Sequence, residues 1–321
     1  MVQLWTGILT LILAVGGAAA WYWGGNWCLE RALPSRAALL RPWLFLGPAA
    51  LAIGLYLIYP LAATLWISFQ DRAGVGLANY HWLFADPGFR AAVWNNLMWI
   101  LVVPAAATAL GLLAAVLSAR IWWGSFARLL IFLPMAISFV GAAVIWKFIY
   151  DYAGAGPEQI GLLNALVLAF GGVPRAWMTL PFWNSLCLMI ILIWIQTGFA
   201  MVVLGAALRR VPDDLHEAAM LDGASAVQAL FRIILPQIWG AIGAVWMVIT
   251  IITFKVFDIV LAMTNGQWNT NVLANLMFNW MFQGGGDFGR GAAIAVVLMG
   301  MIMPLMLWVM RQIWRAEGQG R

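Results

Sequence analysis

Hydrophobic positions along this chain fall in long unbroken runs, not in strict alternation. Seven runs approach or exceed the roughly 20 apolar residues that carry a helix across a bilayer. They lie near residues 3–23, 43–69, 93–118, 128–150, 182–206, 237–263 and 289–312. Polar and turn-forming residues gather between them, at 24–42, 70–92, 119–127, 151–181, 207–236 and 264–288. A β-barrel would show short alternating segments instead. The pattern predicts an all-α fold, a polytopic transmembrane helical bundle of about seven spans. Prolines 60, 104, 134 and 304 fall inside spans, where neighbouring helices can satisfy the freed backbone groups.

Composition agrees with this reading. Charged residues make up 9% of the 321 residues and hydrophobic ones 64%, against about 25% charged in a soluble domain. The formal charge of +5 comes from arginines scattered among loops. They form no basic stripe, so nucleic acid is not an expected partner. Counted by alternate loops, eleven arginines fall on the side of Arg31, Arg120, Arg209 and Arg311, and four on the side of Arg72, Arg90, Arg175 and Arg290. The positive-inside rule makes the first side cytoplasmic. The N-terminus then lies outside and the C-terminus in the cytoplasm. No basic residue precedes the first run, and Arg31, Arg36 and Arg41 follow it. That polarity predicts a retained span, not a cleaved signal peptide. Cys28 and Cys187 have no metal-ligand spacing and read as small apolar residues.

The expected organisation is an extra N-terminal span and linker at 1–42, a transmembrane domain of six core spans at 43–316, and a cytoplasmic tail at 317–321. Within the domain the connection at 207–236 is unusually long and patterned. Pro212 suits the first position of a helix, and Asp213, Asp214 and Glu217 complement the dipole of its first turns. Gly223 can stop that helix in the left-handed conformation. Ser225 and Gln228 have capping-box spacing for a second helix, and Pro236 marks the start of the next span. Small Ala218, Ala219 and Ala224 beside Leu215, Met220, Leu221 and Asp222 fit two readings equally. One is a docking face for a partner protein; the other is a cap packed on the chain's own bundle.

A resemblance separates those readings. Glu217-Ala218-Ala219, Gly223 and then Ile233-x-Leu235-Pro236, led in by Val211-Pro212-Asp213-Asp214-Leu215, resemble the EAA motif of ABC-transporter permeases. The resemblance implies that this loop inserts into a separate ATPase subunit. Glu217, Ala218, Ala219, Asp222, Gly223, Leu235 and Pro236 would carry the coupling, with Glu217 paired to a basic residue there. Residues 76–96, Trp146–Asp151 with Gly161–Asn164, Phe254–Asp258, and Phe288–Ile294 resemble the sugar-transporting, binding-protein-dependent branch, similar to the maltose-type F subunit. Residues 265–271, NGQWNTN, depart from that branch's usual glycine- and proline-containing loop and resemble α-glucoside members.

The resemblance implies a bacterial or archaeal cytoplasmic-membrane protein, embedded in lipid, with several partners. These are a second, G-type permease subunit, two ABC ATPase subunits, an extracytoplasmic sugar-binding protein and a sugar. The chain has no Gly-Lys-Ser/Thr phosphate loop, and its two lysines, Lys147 and Lys255, follow aromatic residues. ATP and Mg are therefore expected on the partner ATPase, with no cofactor held here. No nucleophile triad, carboxylate pair or metal cluster is readable, and His81 and His216 lie near loops without ligand partners. The chain is expected to be a transport subunit and not an enzyme. An importer for a non-sugar solute and a secondary sugar carrier are the competing readings.

Polar residues inside spans are functional candidates because they are costly in hydrocarbon. Lys255 and Asp258, three apart, are expected to neutralise each other on one helix face. By resemblance the sugar-lining positions fall on Ile195, Gln196, Phe199, Thr253 and Phe254. An amide with an aromatic platform suits a neutral sugar, while Phe199 and Phe254 serve equally as packing bulk.

Overall fold

The computed structural model describes residues 2–32, 34, 36–71, 74–154, 159–283 and 286–319. The side chains of residues 2–4, 7–15, 18, 213, 216, 217 and 312–319 lie outside that description. Two compact units divide the chain, Met1–Trp66 and Ile67–Arg321.

In the first unit, α1 (Val2–Ala32) and α2 (Ala37–Ile53) form a helical hairpin. Trp21 Nε1 donates to Leu44 O at 3.1 Å, and Tyr22 stacks on Phe45 with ring centroids 4.9 Å apart. Farther along, Arg41 bridges Asn26 and Glu30. The pairing runs 21 with 44, 22 with 45 and 26 with 41, so the helices are antiparallel. A π turn at Gly54–Ile58 leads into α3 (Tyr59–Ser68).

The second unit opens with a two-residue ribbon, β1 (Gln70–Asp71) against β2 (Gly74–Val75), and α4 (Ala78–Ala85). Next comes α5 (Pro87–Ser118). Its first turn begins six residues before the predicted span because Asp86 accepts from Phe89 N at 2.7 Å and Pro87 follows the cap. Then follow α6 (Gly124–Phe132), α7 (Phe139–Ile149), α8 (Leu162–Ala169) and α9 (Trp183–Leu208). The connecting segment holds α10 (Asp213–Leu221), α11 (Ala226–Ala229) and α12 (Leu235–Gln237). Last come α13 (Trp239–Phe254), α14 (Asp258–Met263), α15 (Leu273–Phe278) and α16 (Phe288–Gln319).

Helix α9 is the centre of this unit. Over its most apolar stretch 56% of residues are buried, against 33% for α5 and 11% for α16. It packs on α5, α6 and α13, and its Leu188, Ile191, Leu192 and Ile195 meet Trp99, Val103, Val245 and Ile249 in one core. Close approach depends on small residues, as it does between helices in lipid. A methyl on Gly111 of α5 would lie 2.8 Å from Met201 N, and one on Gly198 of α9 would lie 2.6 Å from Ile131 O. A second core joins α4, α5, α15 and α16 through Leu83, Phe89, Leu273 and Ile294.

Among the described residues four single helical stretches are long and apolar enough to span, Ala37–Ser68, Pro87–Ser118, Trp183–Leu208 and Phe288–Arg311. Two bent pairs raise the number to six, and α1 corresponds to the seventh predicted run. The expected span 128–150 is one of these pairs, turned by 108° between Ala136 and Phe139. Pro134 ends the first arm in a 3-10 turn, and Ser138 caps the second by accepting from Gly141 N at 3.1 Å. The expected span 237–263 is also interrupted: α13 stops at Phe254 and α14 starts at Asp258. Lys255 and Asp258 therefore do not share a helix face, and they form no ion pair among the described residues. The predicted loops 151–181 and 264–288 contain α8 and α15. Glu158 and Arg72 lie outside the described residues.

Candidate coupling loop and solute path

The long connection after α9 folds as two capped helices around a hinge. Pro212 has extended backbone angles and stands just outside α10 as its N-cap, one position earlier than predicted. At the other end Gly223 has φ of 82°. Its N–H donates to Met220 O at 3.1 Å, and Ala224 N–H donates to Ala219 O at 2.9 Å. Those two bonds make a Schellman closure, which satisfies the last carbonyls of the helix and needs a left-handed residue between them. A methyl on Gly223 would meet nothing within 4 Å. Conformation and not space reserves the position for glycine.

Helix α11 starts with the predicted capping box. Ser225 N donates to Gln228 Oε1 at 2.8 Å, and Gln228 N donates back to Ser225 Oγ at 3.3 Å. The helix then widens into a π turn at Leu230–Ile234, where Leu235 N reaches Leu230 O. Pro236 follows directly. A proline lacks an N–H and its ring presses on the carbonyl four residues back; one wide turn relieves both. The same solution appears before Pro60, where Tyr59 N reaches Gly54 O. Pro236 therefore lies within the bent segment. The next span begins after Ile238, where the chain turns by 73°.

Packing within the loop is mostly local, with α10 against α11 and the π turn. Ala219 is buried, while Ala218 and Asp222 are exposed. Leu221 is 88% exposed and Met220 50%, so the hinge side of α10 leaves an apolar edge uncovered. Leu235 is half-buried and Pro236 exposed. The backbone of Glu217 belongs to α10; its side chain lies outside the described residues.

Of the five sugar-lining expectations, Ile195, Gln196 and Phe199 lie along α9, and Thr253 and Phe254 end the adjoining α13. Ile195, Gln196, Thr253 and Phe254 are buried and Phe199 is half-buried. Thr253 Oγ1 donates to Ile249 O within its own helix at 2.7 Å. Gln196 is 4% exposed, and its amide atoms are not among the buried polar atoms left without a partner.

The sequence reading missed a set of asparagines. Asn95 and Asn96 on α5 and Asn184 on α9 reach the segment 264–273 far along the chain. Asn95 Nδ2 donates to Asn269 O and Asn271 O, each at 2.8 Å, and Asn184 Nδ2 to Trp268 O at 2.8 Å. Asn96 Oδ1 accepts from Leu273 N at 2.8 Å, capping α15 from another helix. The readable signal was three amides inside apolar runs, where each must find a partner.

This arrangement defines a multi-pass helical membrane protein whose bundle is interrupted by an exposed, hinged helix pair. Residues 107–314 match the family described as binding-protein-dependent transport system inner membrane component. The chain belongs to that family. It is 58% identical to the alpha-glucoside transport system permease protein AglF of Rhizobium meliloti, covering 99% of each chain. It is 44% identical to the osmoprotective compounds uptake permease protein GgtC of Synechocystis, covering 84% of this chain and 97% of that one. Its fold matches a chain of a bacterial alginate ABC transporter crystallised with an alginate-bound periplasmic protein. There the TM-score is 0.73 at 20% identity, covering 88% and 95%.

Proposed function

We propose that this chain is the permease subunit of an ATP-driven sugar importer and forms half of the path for an α-glucoside. The observation that carries the coupling role is the α10–Gly223–α11 pair: closed by its own caps, yet with Leu221 and Met220 uncovered. A cap folded onto its own bundle would bury those side chains; a docking element keeps them available. The relation to AglF supports the solute class, and the arginine distribution supports a cytoplasmic position for the loop.

In this reading Glu217, Ala218, Ala219, Asp222, Gly223, Leu235 and Pro236 face or shape the contact with one of two ATPase subunits, which hold ATP and Mg. A G-type permease completes the path, and an extracytoplasmic binding protein delivers the sugar. Closure of the ATPases moves the hinged pair, which is continuous with α9 and α13, and tips the bundle between inward-open and outward-open. Shifting such an equilibrium from 1:99 to 99:1 takes about 5.5 kcal/mol of differential binding. Gln196 supplies hydrogen bonds to the passing sugar, and Ile195, Phe199, Thr253 and Phe254 shape the passage beside it.

The test is uptake of labelled maltose, sucrose and trehalose by vesicles containing the assembled transporter. Uptake driven by internal ATP and abolished by Gly223→Asp is the expected result. Uptake driven by an ion gradient without ATP would instead establish a secondary carrier.

A further inference from the structure

At the end of α9 opposite the coupling loop lies a cavity of about 210 Å³ whose lining contains no charged side chain. Its walls come from Trp94 and Asn95 of α5, Phe182 and Asn184 at the start of α9, and Trp268 and Asn269 of the 264–271 segment. Two of its aromatic residues are held in backbone conformations that bulky residues avoid. Phe182 has φ of 69° and ψ of −51°, and Trp183 N–H donates across it to Pro181 O at 2.9 Å. That is a γ-turn of the rare, strained kind. Trp268 has φ of 52°, and Asn269 has φ of 63°. Strain of this sort persists only where surrounding structure enforces it, and it concentrates at ligand sites. Here the enforcing groups are visible: Asn95 is 7% exposed and Asn184 2%, and both hold the Trp268–Asn271 backbone in place.

The rings themselves stay open, with Trp94 64%, Phe182 61% and Trp268 48% exposed. Asn95 spends its amide donors on loop carbonyls, which leaves Oδ1 to accept from a ligand hydroxyl. Aromatic faces with amides and no charge fit a neutral polyhydroxylated ring: its C–H face lies on an indole and its hydroxyls bond the amides. The volume lies below the roughly 300–1,000 Å³ of sites for drug-sized ligands, so one sugar ring is the matching guest. Asn184 lies 12 residues from Gln196 on one helix, about 18 Å at 1.5 Å per residue. The two positions are therefore separate along α9.

We infer that this cavity is a mouth subsite that binds a single ring of the transported sugar before it reaches Gln196. The inference rests on the importer reading above. Trp268→Gly removes the ring while keeping a residue suited to the left-handed backbone, and Trp94→Ala removes a second ring from a helix. The apparent KM for maltose, sucrose and trehalose uptake by the assembled transporter is measured together with ATP hydrolysis stimulated by the binding protein. Each variant should raise the KM about threefold to tenfold, as expected for one lost ring contact. Trp268→Phe should restore most of it.

A KM within twofold of wild type for both single variants overturns the subsite. Loss of ATPase stimulation in proportion to uptake also overturns it, because the face then docks the binding protein. A wild-type transporter that moves none of the three sugars removes the importer reading and this subsite with it. Active wild type with unaltered variants removes the subsite alone.

Discussion

Two short helices of this chain are capped in opposite ways. Helix α11 is closed by Ser225 and Gln228, three residues apart and exposed. Helix α15 is closed by Asn96, which reaches Leu273 N across 177 positions of sequence and is fully buried. The first cap works wherever the segment sits, so the helix pair can move as a piece. The second exists only when α5 and α15 are in register, so it ties the 264–273 segment to the bundle. On the proposed function, the part that would carry motion is built from local bonds, and the part that would hold the mouth subsite is built from remote ones.

That contrast can be broken or sharpened by substitution. The largest effect is expected from Gly223→Asp, which places a side chain in a left-handed hinge with φ of 82° and adds charge to the exposed edge. ATP-driven uptake should fall by more than about a hundredfold, since a misshapen hinge forfeits the few kcal/mol needed to shift the bundle. Circular dichroism and the melting temperature in detergent should stay near wild type, because the backbone strain at φ of 82° falls in a hinge whose packing is mostly local, α10 against α11 and the π turn.

Asn96→Ala ranks next. It leaves Leu273 N–H buried without an acceptor, a loss of about 2 kcal/mol in global stability, readable as a lower melting temperature of the purified chain. Ser225→Ala should cost about 1 kcal/mol and leave the melting temperature alone. The loss should show as roughly fivefold faster amide exchange at Gln228, confined to residues 226–229. Pro236→Ala is expected to be the mildest, below about 0.5 kcal/mol, with the π turn at 230–234 relaxing toward regular helix. If Ser225→Ala lowered global stability as much as Asn96→Ala, the division into local and remote caps would be wrong.

The same division explains what could be read from the sequence. Ser225, Gln228 and Gly223 act on neighbours within a few positions, so spacing alone gave the hinge and both caps. The apolar runs gave the helical bundle, because their length is set by the bilayer and not by tertiary contacts. The breaks at Pro134–Ser138 and at Lys255–Phe257 were not read, since an apolar run has no periodicity that distinguishes a straight helix from a bent one. Pro134 followed by a serine cap was the available clue to the first. Nothing in the spacing of Lys255 and Asp258 announced the second. The asparagine clamp was hidden for another reason: its bonds join residues 84 to 177 apart, and no local pattern encodes that pairing.

The most direct test of the coupling assignment is photocrosslinking from position 221, where the native leucine is 88% exposed beside the hinge. A benzoylphenylalanine replacing Leu221 in the assembled transporter should yield an adduct containing the ATPase subunit, and ATP binding should change its yield. Adducts formed only within this chain, with the ATPase uncaptured in an assembled and active complex, would contradict a docking role and return the loop to a cap on its own bundle.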